Sequence, residues 1–191
     1  SVITAYGFSR FQFPFKKPFF SILIGTLLFP SVVVIVPVYI IFAKIGWVDT
    51  YAPMLVPALF ASETYFIYLL IQFFRSIPRD MDEAAMIDGC GPVRRLNKIL
   101  LPMLKSPIIT VILFQFIWTG NDFLYPMIFI SSEEKFPVSV GLKLFMDNSG
   151  ALISWSNIFA MSVLAIMPPL IVFLFAQRAF VEGISTSGLK G

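Results

Sequence analysis

The chain has 191 residues, 58% hydrophobic and only 13% charged, with a mean hydropathy of +0.86, whereas soluble domains carry about 25% charged residues; a water-soluble globular enzyme is all but excluded. With no histidine and one cysteine, Cys90, the chain cannot build a His/Cys zinc site, a Ser-His-Asp or Cys-His triad or an internal disulfide. Its net charge of +3 is too small in so apolar a chain for a nucleic-acid binder.

The predicted elements are membrane spans, each needing about 20 mostly apolar residues. Ser1 to Phe8 is too short to span alone and lacks the basic region and apolar core of a signal peptide, so it is expected to be a partial span whose beginning lies outside this sequence. Four full spans follow, at about 18–43, 53–74, 107–130 and 155–176, in a single transmembrane domain over 1–191. Pro30, Pro37, Pro168 and Pro169 interrupt apolar runs that continue past them, either as hinges or as static kinks. Trp47 and Trp155 suit the membrane interface.

Basic residues set the orientation, because connections rich in Lys and Arg stay cytoplasmic. Eleven lie in alternate connections, including Arg10, Lys16, Lys17, Arg75, Arg79, Arg94, Arg95, Lys98 and Lys105, against three (Lys44, Lys135, Lys143) in the opposite ones. The loop at 75–106 and the C-terminus are therefore expected inside, and Ser131 to Ser154 outside.

The 75–106 loop holds ten of the 25 charges, and it is patterned. Pro78 suits a first helical turn, Asp80, Asp82 and Glu83 favour the positive end of a helix, and Met81, Ala84 and Ala85 share a face. Gly89 ends that helix. Pro92 opens a second one, with Val93, Leu96, Ile99 and Leu100 on its apolar side and Arg94, Arg95 and Lys98 elsewhere. Periodicity alone leaves two readings open: a hairpin resting on lipid headgroups, or a knob that docks into a partner's groove.

Polar groups at membrane depth are costly and usually face a cavity or a partner. Gln115, Thr119 and Asp122, with Asn121, form one stripe; Glu63 precedes a second made of Tyr65, Tyr68 and Gln72. Such stripes can line a path for a hydroxyl-rich solute or bond helices to one another.

Glu83-Ala84-Ala85, Gly89, Ile99 and Leu101-Pro102 carry the spacing of the "EAA" signature. In this the chain resembles the permease subunits of binding-protein-dependent ATP-binding-cassette (ABC) importers. Further segments, such as Ala5 to Phe11, Gln72 to Arg79, Asn121 to Pro126, Pro137 to Leu142 and Gln177 to Gly191, are similar to carbohydrate permeases related to the second membrane subunit of the maltose transporter. One departure is Trp118, which lies three residues ahead of Asn121 where relatives have a tryptophan next to the Asn-Asp pair.

The resemblance implies an all-α polytopic membrane protein with the type I importer permease fold, its N-terminal spans missing from this sequence. It implies that residues 83–85, 89, 99, 101 and 102 couple to an ATPase, with Glu83 and Gly89 foremost. It also implies a second permease subunit in a heterodimer, two ABC ATPase subunits, an extracytoplasmic solute-binding protein and a place in the inner membrane. The tail from Ser185 to Gly191 resembles one that reaches between the ATPases; otherwise it is a frayed terminus. No cofactor or metal is expected, and no phosphate-binding Gly-x-x-x-x-Gly-Lys-Ser/Thr loop occurs. The chain is thus expected to be a non-catalytic half of a sugar or oligosaccharide pathway. The alternatives are an importer subunit for a polyamine, peptide or oxyanion, a secondary transporter, for which no repeat between halves is seen, or an anchoring protein without a pore.

Overall fold

The computed structural model describes residues 1–60, 63–148 and 155–188, the side chains of Ser31, Asn148 and residues 178–188 excepted. The predicted tail contact beyond Ser185 lies outside the described side chains. Among the described residues the architecture is all-α, with no strand. The helices are α1 (Val2–Arg10), α2 (Lys16–Leu27), α3 (Ser31–Lys44), α4 (Ala52–Leu59), α5 (Thr64–Ser76), α6 (Asp80–Ile87), α7 (Pro92–Arg95), α8 (Leu101–Met103), α9 (Lys105–Asn121), α10 (Leu124–Phe129), α11 (Val138–Asn148) and α12 (Trp155–Gly188). A π-helical turn, Leu96–Leu100, joins α7 to α8, and a 3-10 turn covers Glu133–Lys135.

The chain forms two compact units. The first comprises Ser1–Pro30, Phe60–Val111 and Ala179–Gly191, and the second Ser31–Leu59 and Ile112–Arg178. In the first, α5 is the central element because Ile67, Leu70, Ile71 and Phe74 recur at the helical spacing i, i+3, i+4, i+7 and are all buried. Against that face α1 lays Ala5 and Tyr6, α2 lays Leu23, and the π turn and its exit lay Leu96, Leu100 and Leu104. The Tyr6 ring packs 5.7 Å from Phe74 and edge-on, at 5.1 Å, to Phe11.

In the second unit Phe129, fully buried, gathers Tyr39, Phe42 and Tyr125 at ring distances of 5.6–5.9 Å. Helix α3 ends in a Schellman closure: Gly46, at φ +73°, donates to Ala43 O, Trp47 donates to Phe42 O, and the Trp47 ring stacks on Phe42. Val32, Val33, Val36 and Ile41 on α3, and Phe159, Leu164 and Phe175 on α12, are largely exposed. Water would penalise such surfaces, but hydrocarbon is as apolar as the side chains and leaves packing to hold the helices. By length and composition, among the described residues, Ala52–Ser76 and Trp155–Gln177 suffice to cross a membrane. Two bent helix pairs raise that number to four if each pair is one span.

Candidate functional site

The patterned loop folds as two short helices around a glycine bend. Pro92 is the first residue of α7, and Asp80, Asp82 and Glu83 occupy the first turn of α6. The bend is a second Schellman closure: Gly89, at φ +72°, donates to Met86 O at 3.0 Å, and Cys90 donates to Ala85 O at 2.9 Å. A Cβ on Gly89 would meet no atom within 4 Å, so glycine is required by conformation rather than by space. Gly89→Ala is expected to cost about 1–2 kcal/mol, the penalty for a left-handed L-residue, and Gly89→Asn distinctly less. Thermal unfolding of the two variants beside the parent chain measures both.

The inward face of α6 differs from the one its periodicity predicts. Asp82 and Ala85 are buried, whereas Met81 and Ala84 are exposed. A carboxylate turns inward because a cation waits for it. Arg10, at the end of α1, brings its Nε to 3.1 Å from Asp82 Oδ2, with the two side chains only 7% and 10% exposed. The same guanidinium donates through Nη2 to Ile77 O at 2.9 Å, and Tyr6 Oη donates to Pro92 O at 3.2 Å. Helix α1 therefore grips the loop before α6, on α6 and after the glycine bend. Glu83, Met86 and Ile87 point away from this seat, with Ile87 87% exposed.

Arg95, expected on the polar side of the second helix, is buried, while Val93, expected on the apolar side, is 72% exposed. The cause is the π turn that follows, whose wider winding moves the register off the 3.6-residue period. Ile99 is half-buried within that turn, and Leu101 and Pro102 open α8.

The predicted translocation residues are divided between the two units. In the first, Glu63 is half-buried at the head of α5, Tyr65 is exposed, Tyr68 packs against the core and Gln72 is exposed. In the second, Gln115 Nε2 donates to Thr119 Oγ1 at 3.0 Å, and Gln115 Oε1 is buried without a hydrogen-bond partner. Asn121 is the last residue of α9 and is exposed. Asp122 lies beyond that helix and does not extend its stripe. Its Oδ1 accepts from the backbone N–H groups of Leu124 (3.1 Å) and Tyr125 (3.4 Å), which caps α10, while its carbonyl accepts from Ser139 Oγ at 2.7 Å.

One cluster escaped the sequence reading entirely. Asp49, at φ 60°, accepts from the backbone N–H groups of Ser131 and Ser132, from Ser132 Oγ at 2.6 Å and from Lys135 Nζ at 2.9 Å. Lys135 also donates to Asp49 O, Tyr51 Oη donates to Lys135 O, and Asp49 N–H donates to Phe129 O. These bonds clasp the α3–α4 connection to the segment after α10.

Lys135 and the two serines hold the Asp49 carboxyl well below the usual carboxylate range, and Asp49 in turn raises Lys135. A depressed folded-state pKa contributes stability that is complete above the ordinary carboxylate value, near about 4, and is lost as pH falls through the folded value. The melting temperature of Asp49→Asn is thus expected to lie below that of the parent by a constant gap from pH 8 to pH 5. The gap should narrow only in acid, which melting curves across pH check.

Residues 1–186 match the family described as "Binding-protein-dependent transport system inner membrane component". The chain is 33% identical over 184 residues to the sn-glycerol-3-phosphate transport system permease protein UgpE of Agrobacterium fabrum, covering 96% of this chain and 64% of that protein. It is 31% identical over 187 residues to the protein of the same name in Yersinia pestis, covering 98% and 66%. The chain thus spans less than two thirds of the length of these relatives. It also superposes with a TM-score of 0.80, at 25% identity over 94% of this chain and 67% of the other, on a chain of a bacterial ABC transporter involved in the import of the acidic polysaccharide alginate. The match runs over residues 1–186 of an all-α chain, and this chain belongs to the family of binding-protein-dependent transport system inner membrane components.

Proposed function

We propose that the chain is the permease subunit of an ATP-driven importer, contributing half of a translocation pathway and coupling to an ATPase through α6. The observation that carries this is the two-sided construction of α6. Asp82 and Ala85 are seated on the protein, leaving Glu83, Met86 and Ile87 as a compact face with one carboxylate and two apolar anchors. A helix held on one side and presented on the other suits a partner's cleft and transmits a push. In this reading Glu83, Ala84 and Gly89 belong to the docking element, Ala85 seats that helix on the protein, and Ile99, Leu101 and Pro102 fix the exit of the loop. The loop and the C-terminus lie in the cytoplasm, and the Asp49 clasp lies outside. The whole chain acts as one transmembrane domain, with spans near 18–43, 53–74, 107–130 and 155–176.

The partners are a second permease, two ABC ATPases and an extracytoplasmic solute-binding protein; the chain itself is not an enzyme. The solute is a sugar, an oligosaccharide or a related hydroxyl-rich compound. Relatives named for sn-glycerol-3-phosphate and a structural neighbour named for alginate both favour a hydroxyl-rich solute that carries negative charge. The half-buried Gln115 of the second unit, with its unpaired oxygen, is a hydrogen-bonding group of the kind such a solute needs. The test is reconstitution of the full-length protein with its candidate partners and measurement of solute-stimulated ATP hydrolysis and uptake, with Glu83→Lys as the decisive variant.

A further inference from the structure

At the junction of α1, α2 and α5 a cavity of about 490 Å³ opens beside the coupling loop. Four cations line it, Arg10, Lys16, Arg75 and Arg79, and no carboxylate does. Arg10 is committed to Asp82 and Ile77. The other three have no ion pair among the described residues. Two of them are nevertheless held in place: Lys16 Nζ donates to Phe11 O at 2.7 Å, leaving two N–H groups free, and the Arg75 guanidinium lies 5.2 Å from the centre of the Phe20 ring. Burial lowers the Lys16 ammonium below the ordinary lysine value, and the nearby charges of Arg75 and Arg79 lower it further. Like charges gathered without a counter-charge repel one another, and an anion placed among them removes that cost. Phe19 and Ile22, on the same helix as Lys16, are exposed apolar side chains.

We propose that this cavity binds a phosphate-bearing anion, and that its occupant is the headgroup of an anionic phospholipid. The acyl chains would run along the exposed residues of α2 while Lys16, Arg75 and Arg79 take the phosphate. A basic pocket between helices at a membrane surface recognises headgroups in this way, and planar guanidinium groups suit phosphate oxygens. The proposal rests on the membrane reading above, but not on any ATPase.

The test is native mass spectrometry of the delipidated full-length protein titrated in separate arms with dioleoylphosphatidylglycerol, dioleoylphosphatidylcholine and inorganic phosphate. The expected result is a preference for phosphatidylglycerol over phosphatidylcholine, unaffected by about 10 mM phosphate. In Lys16→Gln/Arg75→Gln/Arg79→Gln its occupancy should fall by about tenfold or more. The control Lys17→Gln/Arg94→Gln/Lys98→Gln removes equal charge elsewhere and should retain binding. If the triple variant does not fold, Arg79→Gln alone, at an exposed position, should lower occupancy in the same direction. Equal losses in the control, displacement by inorganic phosphate, or unchanged lipid binding with lost ATPase association would each overturn the assignment. Failure of solute-stimulated ATP hydrolysis in the parent complex would instead strike the coupling proposal and leave lipid binding intact.

Discussion

Arg10→Ala is expected to be among the most damaging substitutions in the chain, costing about 3–5 kcal/mol of stability. The guanidinium and the Asp82 carboxylate are nearly removed from solvent, and their facing atoms, Arg10 Nε and Asp82 Oδ2, meet as ions without the alignment of a hydrogen bond. Neither atom has a hydrogen-bond partner among the described residues. Deleting the arginine leaves a buried carboxylate uncompensated and strips Ile77 O of its donor. Asp82→Ala should cost somewhat less, because Arg10 keeps its bond to Ile77. Replacing both, as in Arg10→Met/Asp82→Leu, should recover most of the loss, since desolvating an ion pair uses up much of what its attraction returns. Thermal unfolding of the four proteins in one detergent checks the order of these losses. Single variants that melt with the parent would show that this pair does not anchor α6.

Glu83→Lys should behave in the opposite way, leaving the fold intact and abolishing coupling. The side chain is exposed, and exposed substitutions usually change stability by no more than about 0.5 kcal/mol. Reversing a charge that meets a basic residue across an interface costs about 2–5 kcal/mol, a weakening of docking by about thirtyfold or more. The variant should reach the membrane in normal amount, melt with the parent, and lose both solute uptake and solute-stimulated ATP hydrolysis. Normal uptake by Glu83→Lys would remove α6 from the coupling role. On the proposed coupling the two residues would separate functions that sit side by side in the chain, Asp82 holding the helix and Glu83 meeting the partner.

The all-α membrane architecture was legible because it depends on composition, and the bend at Gly89 because a glycine after an amphipathic turn is a local signal. The inward face of α6 was not. Asp82 looks like a solvated acid unless Arg10 is known to lie beside it, and no period in the sequence links the two. Asp49 was missed for the same reason, since its partners are 82 to 86 residues away and two of them are backbone N–H groups that carry no side-chain signature. The buried Arg95 traces to a helix that departs from the α period, which pattern counting presupposes. Asp122 was different, because a signal was available. An aspartate shortly before a helical turn is a capping residue, yet its position in an apolar run drew attention to a polar stripe instead.

The π turn at Leu96–Leu100 bears on how the loop could move. Such a turn winds one more residue into each hydrogen-bonded cycle than an α-helix does, so it stores a residue of slack between α7 and α8. Taking up that slack would turn the downstream helix by about 100° and advance it by about 1.5 Å. A rigid rod passes on only the displacement it receives. A rod with a thread cut into one end can also exchange translation for rotation, and here the thread lies one short helix away from the bend that Arg10 and Tyr6 hold in place.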